Sequence, residues 1–164
     1  EKFAQLRSLY LYMMMHPGKK LNFMGNEIAM FREWDEEKEL DWFLLKYPMH
    51  DAFHHYFETL GKIYQSTPQL YEWDDDPRSF EWITINDKQN NVYGFQRLAG
   101  TLKPVAAFFN FSNKTQTIHT EDKWVLRLHT DWECFNGTTK EKKEKKSTDY
   151  FVLPPFSSIY VVME

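Results

Sequence analysis

The hydrophobic period of this 164-residue chain changes once, at Glu72-Trp73-Asp74-Asp75-Asp76-Pro77, and one kind of layer cannot accommodate both sides of that change. Ahead of it, Phe3, Leu6, Leu9, Tyr10, Met13 and Met14 recur at helical spacing, and His16-Pro17-Gly18 stops the run, which predicts a helix over residues 2–15. Residues 20–24 then read as a short strand broken by Gly25-Asn26. Residues 27–50 show no sustained period, a length that marks a connection as functional or partly structured. Asp51 reads as the N-cap of a second helix with the face Phe53, Tyr56, Phe57, Leu60, Ile63 and Tyr64, ended by Thr67-Pro68.

Behind the change, apolar runs at 80–85, 92–98, 104–111, 115–119, 124–130, 150–153 and 158–163 predict seven short strands in a sandwich. Such strands would bury alternating residues such as Trp82, Val92, Phe95 and Phe109. Asn86-Asp87-Lys88-Gln89-Asn90-Asn91 and Asn110-Phe111-Ser112-Asn113 read as hairpin connections, because Asn and Asp tolerate left-handed backbone. The charged run at 140–146 reads as a solvated loop. The division expected is therefore 1–77 and 78–164.

Composition narrows the function classes. A formal net charge of −4 offers no broad basic field to a phosphate backbone, which argues against nucleic acid. One cysteine, Cys134, forms neither an internal disulfide nor a thiolate cluster, and fits a reducing, cytoplasmic setting. No apolar stretch approaches the ~20 residues of a spanning helix, so no membrane partner is expected. Fourteen Phe, nine Tyr and six Trp supply a core, and rings of this kind also lie against sugars. The chain opens on Glu1 in what reads as mid-helix, as an excised piece would.

The segment His16-Pro17-Gly18-Lys19-Lys20-Leu21-Asn22-Phe23-Met24-Gly25-Asn26-Glu27, with Arg32-Glu33-Trp34 and Leu40-Asp41-Trp42 after it, closely resembles the 1,4-α-glucan (glycogen) branching enzymes of the α-amylase superfamily, glycoside hydrolase family 13. The likeness continues through the helix from Asp51, Gln69-Leu70-Tyr71-Glu72, Phe80-Glu81-Trp82-Ile83, and Leu153-Pro154-Pro155-Phe156-Ser157-Ser158-Ile159-Tyr160, in order along essentially the whole chain. The resemblance implies an α+β piece: the end of a (β/α)8 barrel, as helix, strand, loop and helix, followed by an all-β sandwich. It implies a retaining transfer that cleaves an α-1,4 bond and rebuilds it on a 6-hydroxyl. Such a transfer needs a nucleophilic carboxylate and a carboxylic acid about 5–5.5 Å apart. The family carries these acids on earlier barrel strands, so the resemblance implies no catalytic residue in this chain and no activity of the piece alone. It implies no metal or organic cofactor, and α-glucan as the partner.

Barrel active sites lie at the C-terminal ends of the strands, which makes 27–42 the segment that would face substrate. The candidate substrate-binding residues are Glu27, Arg32, Trp34 and Trp42. Glu27 fits either a hydrogen bond that shapes the rim or a loop-ordering acceptor; Trp34 and Trp42 fit either stacking on glucan or pinning the loop. Arg32 has Asp41 and Glu33 as candidate partners. Ile28 and Met30-Phe31 depart from the usual bacterial pattern, which argues against substrate contact there. His54 and Glu58 are one helical turn apart but lack a third metal ligand, and Asp74-Asp75-Asp76 lacks the rest of a calcium loop. Two other readings remain open: another glucan hydrolase of the superfamily, or a non-catalytic glucan-binding module. One strand and two helices cannot close a barrel, so their apolar stripes must find cover on the sandwich or, by self-association, on a second copy.

Overall fold

The computed structural model describes residues 1–87, 89–141 and 146–164. Helix α1 spans Lys2–Met15, as its stripe predicts, and ends where Pro17 forces His16 into an extended conformation (φ −68°, ψ 144°). Its buried face is wider than one stripe. Arg7, Ser8, Leu11 and Met15 are buried along with Tyr10 and Met14, whereas Leu9 is exposed. The reason is that α1 is a middle layer, with rings packed on both sides. Tyr10 meets Phe53 and Phe57 of the second helix, and Tyr12 meets Phe95 and Phe109 of the sheet.

That second helix, α2, spans Pro48–Gln65. Its N-cap, Tyr47, lies four residues before the expected one, so Asp51 lies in the first turn and is no N-cap. Pro48 takes the first helical position, where its missing N–H breaks no bond and its fixed φ is already helical. The expected strand at 20–24 enters no ladder among the described residues. A strand is defined by its neighbours, and here Leu21, Phe23 and Met24 remain exposed.

Six strands follow: β1 (Phe80–Asp87), β2 (Val92–Arg97), β3 (Val105–Asn110), β4 (Gln116–His129), β5 (Ser147–Leu153) and β6 (Ser158–Met163). They form one open antiparallel sheet in the order β1-β2-β3-β6-β4-β5. Two of the seven expected runs, 115–119 and 124–130, are a single strand broken only by a register shift between His119 and Trp124. The first half of β4 pairs with β5, and the second half also pairs with β6. Residues of β2 to β6 on one side of this sheet close a sandwich-like core in which Phe108 meets Trp124 and Phe151. The described part of the 86–91 connection joins β1 to β2 as expected, and the charged run at 140–146 lies partly outside the described residues.

The other face carries the main core, where Leu11, Met15, Phe53, Tyr56 and Leu60 of the helices join Phe95, Ala107, Phe109, Leu128 and Tyr160. Both sides of the period change therefore share one interior, and the helical stripes find their cover on the sheet. Val92, Phe95 and Phe109 are buried as expected; Trp82 is not, being 41% exposed on edge strand β1 with its ring against Phe80 and Phe95. Edge position, not sequence alternation, sets that exposure.

Gly94 is fixed by Phe108, its cross-strand partner. A Cβ there would sit 2.4 Å from Phe108 Cδ1, on a ring buried from every side. Gly94→Ala is expected to destabilise the chain by about 1–3 kcal/mol through overpacking. A lowered urea midpoint with unchanged slope would report it.

Candidate functional site

Between α1 and α2 the chain makes a rim from two short 3-10 turns, Asn26–Ile28 and Trp42–Lys46, joined by irregular backbone. Left-handed residues bracket the first turn, Gly25 (φ 88°) and Ala29 (φ 53°). For Ala29 that conformation is unfavourable, and hydrogen bonds hold it in place: Ala29 N–H donates to Asn26 O and Met30 N–H to Gly25 O, both at 3.0 Å. A cleft of about 230 Å³ opens between this turn and α1, lined by Phe3, Leu6, Tyr10, Ala29, Met30 and Phe31 among others. Burial, with the Glu27 carboxylate adding, pushes the Tyr10 phenol in this cleft up to about 12.

Glu27 sits on the first turn, partly buried, and Asn22 Nδ2 donates to its Oε2 at 3.2 Å. Arg32 is clamped onto Asp41, its Nε donating to Oδ1 and Oδ2 at 2.9 and 3.0 Å, while Nη2 donates to the Glu39 carbonyl. Of its two candidate partners it takes Asp41, and the pair staples the loop across nine residues. Lys38 meets Asp35 at 2.7 Å, a contact that with the Glu37 N–H holds the Asp35 carboxyl below its usual range. Trp34 meets the edge of Phe23, ring centroids 5.5 Å apart, and Trp42 is 45% exposed. No hydrogen bond or ion pair joins the four candidates to one another among the described residues; Glu27, Arg32 and Trp34 are each held by a neighbour of their own.

Of nine exposed large apolar side chains within 21–49, Phe23, Phe31, Trp34, Trp42, Phe43 and Tyr47 are aromatic. Such a density on one stretch of surface marks a face built to be covered or to take a ligand. Other tempting clusters are structural. His54 Nε2 lies 3.7 Å from Glu58 Oε1, and among the described residues no group of three His, Cys, Asp or Glu is placed to hold a metal. Asp76 accepts from the Arg78 N–H and pairs with its guanidinium, and Asp74 pairs with Arg97. No described helix is long and apolar enough to cross a membrane.

Sequence reasoning passed over His50. It is buried, its Nδ1–H donates to the Ile28 carbonyl at 2.8 Å, and Phe3 and Phe31 present their rings to it at 5.1 and 4.9 Å. The legible signal was its position one helical turn before His54, on the helix that follows the loop.

The family described as alpha amylase, C-terminal all-beta domain, matches residues 82–164. The chain is 41% identical over 145 residues to 1,4-alpha-glucan branching enzyme GlgB 1 of Rhizobium etli, covering 85% of this chain and 20% of that protein. To GlgB of Oceanobacillus iheyensis it is 44% identical over 123 residues, 75% of this chain and 19% of that one. The chain thus spans about a fifth of the length of these curated relatives. Among solved structures, the Group B Streptococcus pullulanase SAP superposes with a TM-score of 0.72 at 14% identity, covering 99% of this chain and 28% of that one. A pullulanase from Anoxybacillus sp. LM18-11, complexed with maltotetraose, gives 0.71 at 9% identity, with 99% and 24% covered.

Proposed function

The chain belongs to the alpha amylase C-terminal all-beta domain family, and on that footing we propose that it is the closing part of a 1,4-α-glucan branching enzyme. Residues 1–77 would be the last helices, strand and rim loop of the catalytic barrel, and 78–164 the sheet domain braced against them. The observation that carries this reading is the identity of 41% over 85% of the chain, a share too large for residues 78–164 alone to supply. The fold alone does not choose, since pullulanases at 9–14% identity share it. A single core shared by helices and sheet supports the bracing role. The exposure of Leu21, Phe23 and Met24 is what a strand without its sheet neighbour would show. Left bare, that face is also where a second copy of the isolated chain would dock; a sedimentation coefficient that rises with concentration would report it, and one that stays at the monomer value would sink it.

Branching by a retaining route breaks the α-1,4 bond by attack of a carboxylate on the anomeric carbon, with a carboxylic acid protonating the leaving oxygen. An acceptor 6-hydroxyl then displaces the carboxylate, giving up its proton to the same second group. Both acids are assigned to the upstream barrel. This chain's share is the rim: Arg32 and Asp41 fix the loop, Glu27 presents a hydrogen-bond acceptor, and Trp34 and Trp42 offer apolar faces to an α-glucan. The complete parent protein is expected to form α-1,6 branches on linear amylose, counted by debranching and chain-length analysis, while the 164-residue chain forms none. Branches made by this chain alone, or hydrolysis without transfer by the parent, would refute the proposal.

A further inference from the structure

Two histidines of α2 grip successive carbonyls of the rim turn. His50 Nδ1 lies 2.8 Å from the Ile28 carbonyl oxygen, and His54 Nδ1 lies 3.3 Å from that of Glu27. A carbonyl only accepts, so each ring must carry its proton on Nδ1. His54 Nε2 is then free to face Glu58 at 3.7 Å whether or not it is protonated. The i, i+4 spacing puts both rings on one face of α2, and the turn they hold is the strained one, with Ala29 at φ 53° directly after it. His50 is fixed in turn by Phe3 of α1 and Phe31 of the loop, so helix, helix and rim converge on one buried ring.

We propose that His50 and His54 are positioning residues that set the height and orientation of the Glu27 turn at the glucan-facing rim, an inference that rests on the branching-enzyme reading for its substrate. Two hydrogen bonds to adjacent carbonyls fix both the position and the tilt of a peptide segment, which one bond does not. Asparagine reproduces the key donor, because its Nδ2 occupies the place of histidine Nδ1; alanine removes it.

The test has two arms. In the 164-residue chain, hydrogen exchange at the Ala29 and Met30 amides, which close the turn, is expected to quicken about tenfold in His50→Ala and less in His54→Ala, with the Ala107 amide of β3 unchanged and His50→Asn largely restored. In the complete parent protein, His50→Ala is expected to raise KM for amylose about fivefold with kcat little changed, the loss of one hydrogen bond, and His50→Asn to recover it. Unchanged turn exchange, or equal quickening at Ala107, overturns the proposal. So does an active parent whose KM ignores both alanine variants. A wild-type parent without branching activity would instead refute the branching-enzyme reading, and the exchange arm would still decide whether the histidines hold the turn.

Discussion

Arg97→Ala is expected to lower the melting temperature of this chain by about 6–20 °C, the effect of losing about 3–5 kcal/mol from a protein of this size. Arg97 lies in β2 with no solvent exposure, and its guanidinium joins three parts of the chain. Nη2 donates to Asp74 Oδ1 at 2.8 Å, Nη1 to the Met15 carbonyl at 3.0 Å, and Nε to the Ser79 carbonyl at 3.2 Å. Met15 ends α1, so its carbonyl is one of those a helix leaves unpaired and Arg97 supplies the missing donor. Removing the guanidinium strands a nearly buried carboxylate and the Met15 carbonyl, while the Ser79 carbonyl keeps the Leu98 N–H. Arg97→Lys should recover less than half of the loss, because a single ammonium cannot serve acceptors spread around a planar fork. A melt within ~2 °C of wild type for the alanine variant would show that the latch carries no net stability.

This latch was illegible in the sequence, and so was its counterpart near the middle of α1. There Arg7 donates to the carbonyls of Thr130 and Phe135, and Tyr56 donates to the Arg7 carbonyl at 2.6 Å. Both arginines bond to groups up to 128 residues away, and no periodicity records a partner at such a separation. Local features were legible for local reasons. The α1 limits follow from a stripe and a proline, and most strand runs follow from apolar patches between turn residues. Where a limit depended on competition between two signals, the backbone constraint won: Pro48 over Asp51 as the start of α2. The joining of two runs into β4 depended on β6 entering the sheet beside it, a tertiary event.

The rim shows the same split. Its location followed from a strand-like run ended by Gly25-Asn26 and from the family resemblance, and the Arg32–Asp41 pair was among the partners the sequence offered. What the loop rests on was readable only in part: the spacing of His50 and His54 gives them one helix face, but the carbonyls of Ile28 and Glu27 that they hold are set by the tertiary fold. Trp34 touches Phe23, a residue the sequence assigned to a strand, so its ring serves the loop's own packing as well as its surface.

Acid is expected to destabilise the chain through one buried histidine. His129 of β4 is 4% exposed, its Nδ1 accepts the Asp131 N–H at 3.0 Å, and its Nε2 is buried without a partner among the described residues. Burial pulls its pKa down to about 4; Asp131 opposes the shift and Arg7 reinforces it. An unfolded histidine titrates near 6.5. Between those values the unfolded chain takes up a proton that the folded chain refuses, so stability falls as pH drops from about 6.5 to about 4 and this contribution levels off below. The gap is worth about 3 kcal/mol at full extent. The structural reason is direct: a protonated Nδ1 presents a hydrogen to the Asp131 N–H where a lone pair is needed. His129→Asn keeps an acceptor at that place, through Oδ1, and removes the titration. Urea unfolding of both proteins at steps from pH 7.5 to 4 should show the wild type losing about 3 kcal/mol more than the variant. Parallel curves would place the acid sensitivity on the carboxylates and clear His129 of it.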